Sequence, residues 1–149
     1  MPDDNEQLKI DELNDKYLRA LAELENARKR AALDIENAAR ARAMSIAEQF
    51  LPLIDAIGKA AEIAPDDEGI KVLKKAADNA MSGVGIVGIE TVGQMLNPQF
   101  HNAITTEESE LPANTIIKEI QPGFMFGDTV LRAAMVAAAA PKKSDAENG

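Results

Sequence analysis

The sequence predicts an α+β fold. It comprises a long N-terminal coiled-coil helix, short helices that form a four-helix bundle together with a second copy of the chain, and a small C-terminal all-β domain. Three observations carry that prediction. Between Pro2 and Pro52 the chain runs 49 residues without a proline or a glycine. Within that run apolar residues return every eleven positions. Beyond Gly83 the pattern shifts toward period two, with β-branched residues between turn signals.

The long helix follows from the eleven-residue step. Leu13, Leu24, Ile35 and Ile46 form one apolar line, and Ile10, Leu21, Ala32 and Ala43 form a second. Eleven residues make three turns at about 3.67 residues each, so both lines lie as an almost straight stripe. A helix of about 45 residues is roughly 70 Å long. A compact globule of this chain length is only roughly 40 Å across. The helix therefore does not fold into a single globule, and its stripe needs a partner along most of its length. The simplest partner is a second copy, which makes Ile10, Leu13, Tyr17, Leu21, Leu24 and Ile35 the candidate dimerisation residues.

Pro52, in Phe50-Leu51-Pro52-Leu53-Ile54, is expected to end the repeat and open a new helix, because its missing donor falls in the first turn. Leu51, Ile54, Ile57 and Ala61 then recur at helical spacing. Pro65-Asp66-Asp67-Glu68 reads as a stop followed by a start, with Asp66 able to cap a helix from Asp67 to about Met81. These two short helices are too small to be a bundle alone; with a second chain they become four-helical. Glycines 83, 85, 88 and 93 loosen the chain. Ala103–Thr105, Thr115–Ile120 and Thr129–Val136 read as strands, with Phe126-Gly127-Asp128-Thr129 as a hairpin tip. The expected division is 1–49 long helix, 50–84 short helices, 85–140 β domain and 141–149 disordered tail.

Composition bounds the function. With net charge −9 the surface repels nucleic acid and anionic membrane on average. One tyrosine and four phenylalanines exclude a large aromatic core, so stability leans on helix packing and dimerisation. The absence of cysteine removes disulfides, thiolate metal sites and cysteine nucleophiles. The acidic start lacks an apolar signal core, and the longest apolar run, Ala133 to Ala140, is far short of a membrane span. A cytoplasmic protein is expected, without nucleic-acid or membrane partners.

Catalytic chemistry has little support in the sequence. His101 is the only histidine, and no nucleophile or orienting acid is placed around it, so a structural imidazole is the reading. Asp66-Asp67-Glu68 reads as a helix start rather than a calcium site. The glycines 83, 85 and 88 spell a dinucleotide-binding pattern but lack the strand before and the βαβ unit around them. Neither an enzyme nor a cofactor is expected.

A longer string is more specific. Leu96-Asn97-Pro98-Gln99-Phe100-His101-Asn102-Ala103-Ile104, followed later by Gly123-Phe124-Met125-Phe126-Gly127-Asp128-Thr129-Val130-Leu131-Arg132-Ala133-Ala134-Met135-Val136, resembles the C-terminal signature of the GrpE family. Upstream, Tyr17 to Arg30, Phe50 to Asp55 and Glu68-Gly69-Ile70 agree in the same order. The family comprises the nucleotide exchange factors of DnaK-type chaperones. Asn37 and Thr129 stand where its members often carry basic residues.

The resemblance implies a homodimer with paired long helices, a four-helix bundle and two β wings. One wing and the adjoining helical face engage a chaperone ATPase domain, whose cleft is opened so that ADP leaves. It further implies that Arg28 and Lys59 contact the chaperone as cations and that Gly69 is a point of close approach. The wing contacts would come from Phe124, Met125, Phe126, Gly127, Asp128 and Thr129. A coiled-coil scaffold, or a holdase binding unfolded protein through Met81, Met95, Met125 and Phe126, is the alternative.

Overall fold

The structure is a computed structural model and describes residues 1–142. Helix α1 spans Asp4–Ile63 and α2 spans Glu68–Gly83. Six strands follow: β1 Ile86–Gly88, β2 His101–Ser109, β3 Ile116–Gln121, β4 Phe124–Phe126, β5 Thr129–Arg132 and β6 Ala134–Pro141. The chain divides into two compact units, Met1–Ala43 and the part from Met44 onward. The architecture is α+β, as the sequence predicts.

The first unit is α1 alone as far as Ala43. Its start is fixed by a reciprocal cap: the Glu6 amide donates to Asp3 Oδ1 at 2.8 Å, and the Asp3 amide donates to Glu6 Oε2 at 3.3 Å. Two helix-end donors are thereby satisfied, and Asp4 and Glu6 place negative charge at the helix's positive end. No residue of this unit is buried. Leu13 is 66% and Ile35 71% exposed, and Ile10, Leu21, Leu24 and Ala32 are exposed with them.

In the second unit α1 continues through Pro52 to Ile63. The expected break at Pro52 is therefore absent, and α2 is the one separate short helix. An interior proline removes a single helical hydrogen bond and crowds the carbonyl four residues back. Leu51, next to it, is 4% exposed in the core that α1 forms with the strands, and that burial holds the helix on both sides of the proline. The start of α2 also differs from expectation. Asp67, not Asp66, is the cap, and its Oδ1 accepts from the Ile70 amide at 3.0 Å.

The strands form two three-stranded sheets, β1-β4-β5 and β2-β6-β3. In the first, β1 and β5 flank β4 in antiparallel pairs, and the β4–β5 hairpin turns at Gly127-Asp128 as the sequence predicts. Gly127 has φ +60°. Positive φ at the first turn residue is what a tight hairpin with Gly there requires. In the second sheet β6 is central, parallel to β2 and antiparallel to β3.

Two strand expectations need correction. Thr129–Val136, read as one strand, is split at Ala133 into β5 and β6, which belong to different sheets. The glycine-rich stretch from Gly83 to Gly93, read as loosened chain, contains β1. Three residues are too few to show a period, and Gly88 pairs with Phe124. Of the expected tail, Pro141 closes β6 and residues 143–149 lie outside the described residues.

Two apolar clusters hold this unit. Leu51 of α1 packs with Ile86, Phe124 and Leu131, flanked by Met44, Ala47, Ile54, Met81 and Phe126. Ile116, Ala134 and Val136 form the second, with Leu96 against it. Ala137, Ala138 and Ala139 are all nearly inaccessible, so the central strand is covered on both faces and shows no alternation.

Candidate partner interface

The residues expected to meet a partner are distributed over both units. Arg28 is exposed on α1 in the first unit. Lys59 lies in the second, near the end of α1, with a loose 3.9 Å contact to Glu62 and about three quarters of its side chain in water. An exposed i,i+3 pair of this kind contributes at most a few tenths of a kcal/mol, so Lys59 keeps its charge available.

Gly69 is the second residue of α2. A Cβ built there would stand 3.2 Å from Asp67 Oδ1, the atom that caps the helix. The glycine therefore leaves the capping carboxylate room to reach the Ile70 amide.

The hairpin residues divide by burial. Phe124 is 7% exposed and faces the core, with the Arg132 guanidinium carbon 5.4 Å from its ring centroid. Phe126 packs against the same core from its edge. Gly127 and Asp128 are exposed at the tip, while Met125 and Thr129 are half-buried. The Gly127 amide donates to the Gly85 carbonyl at 3.2 Å, which ties the tip to the chain leaving α2.

Lys59 and this β module border one groove of about 870 Å³. Asp55 and Gly58 of α1, Lys74 and Asp78 of α2, and Pro122 and Phe124 of the β module also line it. Asp55 is also met by the Arg132 guanidinium with both teeth of the fork, Nη1 to Oδ2 at 2.8 Å and Nη2 to Oδ1 at 2.7 Å. The same guanidinium donates to the Pro122 carbonyl from Nη2 at 2.6 Å and from Nε at 3.1 Å. Both side chains are about one-fifth exposed, so the pair is only partly screened. Each charge-assisted bond of this kind contributes about 1.5–3 kcal/mol.

Sequence reasoning did not single out Asp55 or Arg132. One signal was present: a lone arginine in an otherwise apolar segment, Val130 to Ala140, must find an anion or a carbonyl if it is covered.

His101 has the structural role expected of it. It is 7% exposed, and its Nδ1 accepts from the Asn97 amide at 3.0 Å. That leaves Nε2 as the protonated nitrogen, donating to the Glu90 carbonyl at 2.8 Å. The ring pins the segment from Glu90 to Asn97 onto the start of β2. Among the described residues no group of acidic or histidine side chains is arranged to hold a metal, and no helix is long and apolar enough to cross a membrane.

The comparisons decide the family. The GrpE family model matches residues 4–140. The chain belongs to the GrpE family. It is 37% identical over 141 residues to Protein GrpE of Paraburkholderia phytofirmans, covering 91% of this chain and 73% of that protein. Protein GrpE of Burkholderia vietnamiensis is 38% identical over 136 residues, covering 88% of this chain and 75% of its own length. Protein GrpE of Rhizobium etli is 35% identical over 164 residues, covering 98% and 78%. GrpE membership places the chain among the nucleotide exchange co-chaperones that work with DnaK-type chaperones, rather than among catalytic enzymes.

Proposed function

We propose that two copies of this chain pair along α1 through Ile10, Leu13, Tyr17, Leu21, Leu24 and Ile35, and that the dimer is an adenine-nucleotide exchange factor. It binds the ATPase domain of a DnaK-type chaperone in the cytoplasm, opens the nucleotide cleft and releases ADP. The GrpE match over residues 4–140 carries this reading. The exposed stripe of α1 supports the pairing, because a helix with so many large apolar side chains in water gains by covering them at about 25 cal/mol per Å².

In this reading residues 1–49 serve dimerisation. Residues 50–84 of both copies make a four-helix bundle from the end of α1 and from α2, and residues 85–140 form the β wing. Arg28, Lys59, Gly69 and the hairpin from Met125 to Thr129 meet the chaperone; Phe124 supports them from the core. Exchange requires that the dimer bind the open ATPase domain more tightly than the closed one. Bound nucleotide must then weaken the dimer's affinity by the same factor.

Stopped-flow release of fluorescent ADP from a DnaK-type ATPase domain tests this. The expected result is faster ADP release at saturating dimer, together with an ADP affinity weakened by about 10- to 100-fold, the size of an ordinary coupling between two sites. Unchanged release would overturn the reading. Capture of a denatured model protein without any chaperone would favour the holdase alternative.

A further inference from the structure

We propose that Arg132 is a positioning residue for nucleotide exchange: its two-toothed pair with Asp55 sets the angle of the β4–β5 hairpin against α1. The proposal rests on the exchange reading above. Besides the longer connection from β1 to β2, two short crossings join the sheets. Pro122-Gly123 leads from β3 into β4, and Arg132-Ala133 leads from β5 into β6. Each crossing is a place where one sheet can pivot on the other. The Arg132 side chain bridges them, holding the Pro122 carbonyl of the first crossing from the start of the second, and it fastens both to Asp55 on α1.

The apolar cluster of Leu51, Ile86, Phe124 and Leu131 already keeps the sheet on the helix. Apolar contact is non-directional, so it sets proximity and leaves orientation loose. A planar guanidinium bound through two parallel hydrogen bonds fixes orientation as well. Orientation is what exchange needs. A hairpin that swings can fit the closed and the open ATPase domain alike, and the difference in affinity that drives ADP out shrinks accordingly.

Asp55→Asn in the full-length dimer tests the proposal, with Arg132→Lys as a second variant that keeps the charge and loses the fork. The chain contains no cysteine, so spin labels can be placed uniquely at Ala56→Cys on α1 and Val87→Cys on β1, with labelled protomers diluted into unlabelled ones. The expected result is a folded dimer with a broadened label-to-label distance distribution. Its maximal ADP-release rate falls by about tenfold or more. Its affinities for nucleotide-free and ADP-bound chaperone draw together.

Loss of a pair that merely stabilises would lower the melting temperature and leave the distance width and the affinity ratio untouched. That outcome, or a distance distribution as narrow as the parent's in both variants, overturns the proposal. If the parent itself fails to release ADP, the exchange reading falls, and the distance measurement still decides whether Arg132 fixes the hairpin.

Discussion

Gly123 lies against the backbone of Ala134 with no space for a methyl group: a Cβ there would stand 2.3 Å from the Ala134 nitrogen and 2.8 Å from both the Ala134 Cα and the Arg132 carbonyl oxygen. All three neighbours are backbone, so none can turn aside. The two short crossings between the sheets therefore touch at a glycine. Gly123→Ala should destabilise the β module by at least the roughly 1–3 kcal/mol typical of overpacking. Urea denaturation followed at the Val136 methyl resonance measures it. A loss below about 0.5 kcal/mol, the usual size for an uninvolved surface site, would show that the crossings can separate cheaply.

Gly69→Asp separates folding from recognition. At the second position of α2 an added carboxylate gains about 0.3–1 kcal/mol from the helix dipole. Against that, its Cβ crowds Asp67 Oδ1 at 3.2 Å, and loss of a cap costs about 1 kcal/mol. Stability should therefore shift by no more than about 1 kcal/mol, and helicity and dimerisation should persist. ADP release should nevertheless fail, because the new side chain places bulk and an unpaired charge in the proposed contact. Gly69→Ala controls for the cap. An Asp variant that exchanges like its parent would remove Gly69 from the interface.

Self-association should depend on the stripe. Leu24, 47% exposed in the single chain, lies on the line shared by Leu13 and Ile35. Leu24→Glu places a charge at the centre of the proposed seam, and a desolvated unpaired charge costs several kcal/mol. Analytical ultracentrifugation at micromolar concentration should show the parent as a dimer and the variant shifted to monomer. A parent that sediments as a monomer would sink the dimer.

Heating should act first on the N-terminal unit. No residue of Met1–Ala43 is buried within the chain, whereas the part from Met44 onward holds both apolar clusters. The seam is also rich in alanine (Ala20, Ala27, Ala31, Ala38), so each turn covers little area and the helix opens at low cost. Tyr17 is the only tyrosine and reports on that unit alone. Its signal and the far-ultraviolet helicity should be lost reversibly before the Val136 methyl signal changes. A single shared transition would contradict this.

The long helix was legible because its apolar period repeats several times without a breaker, and the hairpin because Gly127-Asp128 sits between β-branched and aromatic residues. Pro52 misled for a physical reason. A proline opens a helix without losing a helical hydrogen bond and interrupts one at the cost of a single bond, and here the burial of Leu51 beside it offsets that cost. The split at Ala133 was hidden because alanine fits either sheet and carries no turn signal. The family string quoted Asp55 and Arg132 without pairing them. They are 77 positions apart, and nothing local in a sequence specifies a contact at that separation.

The order β2-β6-β3 also has a consequence for biosynthesis. Its middle strand is the last of the three to be translated: His101 must wait for Ala134, and Lys118 for Ala137, before it has a partner within the sheet. At about 5–20 residues per second a ribosome leaves β2 and β3 without a template for seconds. Glu107, Glu108 and Lys118 stand exposed on those two waiting strands. Charges on unpaired strands discourage edge-to-edge joining with other nascent chains. The residues that look idle in the finished sheet thus guard it during the interval before β6 arrives.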